Sequence, residues 1–176
     1  MIDMIDAAAL LWRLHLRGVD VGERWQTVAD GFAPTVRAGN YAFNDLHAMM
    51  AFTGAGRRDL AEQVLAAQRT AMKRKDDNAA FTREVGHAAT CAIQAFGEER
   101  YDETVRLIRS IRSIAHRFGG SHAQRDVLDL TLLEAAFRSG QHDLAKALTA
   151  ERVAAKPASP LAALFARRAH YGQYQL

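Results

Sequence analysis

AGRRDLAEQVL (55–65), FGEERYDETVRLI (96–108) and RSGQHDLAKAL (138–148) are three versions of one pattern. Each has a small polar turn, an aspartate three or four positions on, and then apolar residues at helical spacing. Asp59, Asp102 and Asp143 stand 43 and 41 residues apart. An aspartate in the first turn of a helix meets free N–H groups and the positive end of the helix dipole. The turn before it ends the preceding helix. A repeat of about 40 residues made of two helices is the signature of an α-solenoid.

Working outward from these turns, the chain divides into four helical hairpins and a closing helix. The hairpins span about 3–37, 41–74, 79–118 and 121–155. The last helix spans 160–170, with Ser159 as its cap and Pro160 at the first helical position. Ser121 reads as the cap of the fourth hairpin, and Asn78 or Asp77 as that of the third. No stretch alternates apolar and polar residues as a half-buried strand does. The expected fold is therefore all-α: a right-handed α-solenoid of tetratricopeptide-like hairpins with a C-terminal capping helix, in a single domain.

Composition narrows the function classes. The 176 residues are 49 % hydrophobic, with 23 basic and 20 acidic side chains and a net charge of +3. That excess is small and spread along the chain, so no nucleic-acid partner is expected. No apolar run reaches the roughly 20 residues that span a bilayer, and no membrane association is expected. The N-terminus carries two aspartates and no basic segment, unlike a secretory signal. One cysteine, Cys91, excludes an internal disulfide. The expected location is cytoplasmic.

Several segments carry a family resemblance. DAAALLWRLHLRGVDVGERW (6–25), YAFNDLHAMMAF (41–52), GGSHAQRDV (119–127) and AERVAAKPASPL (150–161) resemble, in order, the C-terminal part of the tetratricopeptide repeat protein 38-like family. The resemblance implies an all-helical repeat fold and brings no catalytic residue or cofactor. Members of that family are longer and begin with further repeats, so the likeness starts in mid-fold. The spacing of 41–43 exceeds the 34 of a standard tetratricopeptide unit.

In an α-solenoid the first helix of each hairpin lines the concave face, the usual ligand surface. Those helices carry polar residues in their middles: Asn44, Asp45 and His47; Arg83, Glu84 and His87; Gln124, Arg125 and Asp126. Shifting by one repeat sets Glu84 opposite Arg125 and Asn44 opposite His87. The same residues suit a hydrogen-bond network that fixes helix stacking, since buried charges need partners in any protein, or a groove for a protein or peptide partner. The alternative from another class is a small-ligand pocket or enzyme around Asp45, His47, His87 and Arg125.

No catalytic residue and no cofactor is assigned, and no metal site is read. The histidines never stand three or four apart, and H-E-x-x-H is absent. His87 and Cys91 share a helix face, but HAATCA reads as a packing seam. Arg106, Arg109, Arg112, His116 and Arg117 read as a solvated outer face. From Met1 to Leu16 apolar residues occupy almost the whole helix circumference, as in a buried helix. The reading is a homodimer that covers the first hairpin.

Overall fold

The computed structural model describes residues 2–171. Among these residues there are helices and no strands. The helices are α1 (Ile2–His15), α2 (Arg24–Phe32), α3 (Ala42–Gly54), α4 (Arg58–Ala71), α5 (Asp77–Phe81), α6 (His87–Gly97), α7 (Tyr101–Ile111), α8 (His122–Arg138), α9 (His142–Ala155) and α10 (Pro160–Tyr171). They follow the expected hairpins within a few residues; a short 3-10 turn, Ala33–Thr35, ends α2, and two longer irregularities occur. A π-helical turn, Thr82–Gly86, joins α5 to α6, and a 3-10 helix, Arg112–Phe118, prolongs α7.

The three repeated turns close by the same backbone bonds. Arg57 N donates to Phe52 O, Arg100 N to Ala95 O and Gln141 N to Ala136 O, at 2.8, 2.9 and 3.0 Å. Gly56 N, Glu99 N and Gly140 N donate to the third residue back. Each of those three residues adopts a left-handed φ: 68° at Gly56, 60° at Glu99 and 71° at Gly140. This is the capping arrangement for which glycine is best suited, and in the middle turn a glutamate takes it. Ser121 caps α8 in a full capping box with Gln124. At α5 the cap is Asp76, which accepts from Ala79 N, rather than Asp77 or Asn78. Asn78 instead accepts from Ala42 N and donates to Gly39 O, tying the second hairpin to the third.

The first helices of the hairpins pack on one another. α1 lies on α3, α3 on α6, α6 on α8, and α8 returns to α1. α2 covers α1 and α3, α4 covers α3 and α6, α7 covers α6 and α8, and α9 covers α8. Trp12 stands where the inner helices meet and is fully buried. Its Nε1 donates to Thr131 Oγ1 at 2.9 Å, and its ring meets Phe96 and Trp25 edge-on. The inner helices therefore form a packed core. Gly86 makes part of that closeness possible, because a Cβ there would stand 2.3 Å from that of Ala42.

This packing corrects the reading of α1. The apolar circumference of α1 is covered within the chain: Ile5, Ala8, Leu11, Trp12 and Leu16 are buried, and among its described large apolar side chains Leu10 is the one conspicuously exposed, at 58 %. The ground for a homodimer through the first hairpin is thereby removed (Met1 lies outside the described residues). At the other end, α10 packs on α9, with Leu161 and Leu164 half-buried. Phe165 and Ala162 are its buried residues. Phe165 stacks on Phe137 of α8, and Arg168 pairs with Glu134.

Candidate functional site

Local folding scatters the nine polar residues expected to line one groove. His47 is fully buried between α3 and the core, its ring 4.5 Å from that of Phe43 and its Nδ1 donating to Phe43 O. Its Nε2 has no partner, and burial pushes its pKa down to about 4. Arg83 bonds Met72 O, and Gln124 is spent on the capping box. Glu84 pairs with Arg117 at 2.7 Å, not with Arg125. The repeat shift that matched Glu84 to Arg125 assumes regular α-helix, and Glu84 sits in the π-helical turn, which alters the register. Arg125 folds back on the carbonyls of Gly119 and Gly120, with His122 beside its guanidinium. Asp126 accepts two bonds from Arg152, each 2.9 Å, and faces Lys156.

One pair from the alternative pocket does converge, through a residue that the sequence reading passed over. Gln68 of α4 is fully buried. Its amide donates to Asp45 of α3 and to Thr90 of α6, at 3.2 and 2.9 Å, and its carbonyl faces His87 Nδ1 at 3.1 Å. His87 Nε2 lies 3.7 Å from Cys91 Sγ. A consistent proton assignment runs from the Cys91 thiol to His87, from His87 to Gln68, and from Gln68 to Asp45. Burial raises the Asp45 pKa to about 6, lowers that of His87 and raises that of Cys91. A nucleophilic cysteine needs the opposite shift, toward thiolate. The chain of bonds accordingly serves to tie α3, α4 and α6 together. The signal for it was readable: Ala61, Val64, Leu65 and Gln68 share one helix face, so Gln68 occupies an inward position.

A concavity lies elsewhere. A cleft of about 470 Å³ opens between the 3-10 tail of α7, the first half of α8 and the second half of α9. It forms because that tail swings away from α9 toward the start of the third hairpin, where Arg117 meets Glu84 and Phe118 packs on Phe43. Ile108, Leu128, Leu133 and Leu148 supply an apolar floor. Arg112 reaches across from the tail and pairs with Asp129 of α8 and Glu151 of α9, both at 2.7 Å. Arg112 and Arg117, expected on a solvated outer face, are thus engaged between elements.

Charge in the cleft is unevenly matched. Asp129 and Glu151 are held by Arg112, and Asp126 by Arg152 and Lys156. Burial alone would raise the Asp126 pKa, but the Arg152 and Lys156 contacts outweigh it and hold it low. Among the described residues that line the cleft, Arg125 is the arginine or lysine left without an ion pair, and its partners are two backbone carbonyls and the His122 ring. His116 and His122 stand exposed at the same mouth. Of the nine expected groove residues, Arg125 and Asp126 line this cleft. Among the described residues, no three His, Cys, Asp or Glu side chains converge as metal ligands, and no helix is long and apolar enough to cross a membrane.

No family model matches the chain, and no solved structure matches it.

Proposed function

We propose that the chain is a non-catalytic, cytoplasmic binding module, related to the tetratricopeptide repeat protein 38-like family: four tetratricopeptide-like hairpins capped by α10, in an array that closes on itself where α8 returns to α1 instead of extending as an open α-solenoid. The repeated turns, with identical closing bonds at Gly56, Glu99 and Gly140, support the repeat reading. So does the packing of each first helix on the next. The ligand is held in the α7–α8–α9 cleft. The inner helices serve as core, and Asp45, Glu84, His87 and Gln124 are bonded to other side chains or to a cap.

The observation that carries this reading is the combination of an apolar floor with Arg125, a cation in no ion pair among the described residues, at one concavity. Sites for ligands are concave, mostly apolar and furnished with a few orienting polar groups. A protein partner engaging this face would place a side chain in the cleft. A thermal-shift panel of peptides and small molecules tests the site, run on the wild type and on Ala155→Trp, which fills the cleft from an exposed position. Compounds that stabilise the wild type alone support it, since a ligand bound only to the native state raises the melting temperature. If every active compound stabilises both proteins equally, the site is elsewhere.

A further inference from the structure

We infer that the cleft takes a compact carboxylate with an apolar body, such as a short aliphatic or aryl-alkyl acid, with its anionic head at Arg125 and its body on Leu128, Leu133 and Leu148; this rests on the cleft being the ligand site. Two observations and two exclusions lead there. The floor is apolar and about 470 Å³ is available, within the range of small-molecule sites. The charge left over after internal pairing is positive: Asp126, Asp129 and Glu151 are all answered by Arg112, Arg152 and Lys156, while Arg125 is not. A cationic ligand would have to displace a guanidinium from a carboxylate, and breaking such a pair costs more than it returns. A polyanion would meet three carboxylates within the same walls.

The shape argues against an extended peptide. Arg112 bonds α8 and α9 at once from the α7 tail, so a side-chain bridge spans the cleft from all three walls. A chain running through would have to break that bridge, whereas a compact ligand need not. Arg125 suits the head group because a guanidinium offers a planar fork matched to a carboxylate. His122, whose Nδ1 is 3.5 Å from Arg125 Nη2, adds a second polar group at the same end.

Calorimetric titration of the full chain with octanoate, octan-1-ol and octylammonium separates the alternatives, with a capped Glu-Leu-Glu-Leu peptide as a fourth arm. The expected order is octanoate tightest, with octan-1-ol about tenfold weaker, the loss of one charge-assisted hydrogen bond. Ala155→Trp should abolish octanoate binding. Arg125→Gln should bring octanoate down to the level of octan-1-ol, and Arg125→Lys should keep part of the difference. Equal affinity for octanoate and octan-1-ol, both lost in Ala155→Trp, overturns the carboxylate while leaving the cleft as the site. Peptide binding tighter than octanoate, lost in the same variant, does likewise. Octanoate binding unchanged by Ala155→Trp, or no binding by any probe, overturns the inference, and the first of these outcomes moves the site as well.

Discussion

Glu99 offers a direct measurement of what the repeated turn costs when it lacks glycine. The three turns share their closing bonds and a left-handed residue three positions before the aspartate. At Gly56 and Gly140 an added Cβ would meet nothing within 4 Å, so only backbone conformation separates glycine from any other residue there. The left-handed conformation costs an ordinary residue about 1–2 kcal/mol. Introducing glycine frees the unfolded chain and returns about 0.4–1 kcal/mol of that. The Glu99 side chain is exposed, and the ion pairs of this turn belong to Glu98, Arg100 and Glu103. Glu99→Gly should therefore stabilise the protein by about 0.5–1 kcal/mol, and Gly56→Ala and Gly140→Ala should destabilise it by a similar amount. For a chain of this length that is a rise or fall of about 2–4 °C per kcal/mol. Guanidinium unfolding followed by circular dichroism reads all three variants with one slope. A destabilised Glu99→Gly, beside destabilised glycine variants, would show that the three turns are not equivalent and undo the repeat alignment.

Burial predicts opposite pH behaviour at two neighbouring positions of α3. The folded-state pKa of His47, about 4 against an unfolded 6.5, supplies stability above pH 6.5 that is lost as pH falls, about 2 kcal/mol of it by pH 5. His47→Leu should flatten that acid limb in denaturant titrations from pH 8 to 5, and an unchanged limb would mean the imidazole is not the group responsible. Asp45, raised from 3.8 to about 6, works the other way: its contribution is present at low pH and lost as pH rises through 6. Asp45→Asn should stabilise the protein by about 1–3 kcal/mol at pH 8 and hardly at all at pH 4; equal effects at both would exclude titration of this carboxyl. Gly86→Ala should cost about 1–3 kcal/mol by overpacking against Ala42, read as a lower denaturation midpoint. Phe165→Ala should cost about 3–5 kcal/mol, and a neutral result would show that α10 contributes no core.

What the sequence made legible was what local chemistry determines. The Gly56 and Gly140 stops, the aspartates after the repeated turns, the Ser121 cap and the Pro160 start placed the helices within a few residues, because caps and turns depend on near neighbours. The partnerships of the inner helices were not legible, because they are long-range. Trp12 finds Thr131 across 119 positions, a contact that no periodicity in α1 announces. That contact also explains why a helix apolar all round looked like an interface: it faces other helices of its own chain on several sides. The candidate site fared worst, for a related reason. IRSIRSIAHRF reads as one straight helix, and its 3-10 winding from Arg112 onward opens the cleft and moves Arg117 onto Glu84. Two small departures from α-helical geometry, this tail and the π-helical turn at Glu84, therefore redirect the charged partners that a regular repeat would have matched.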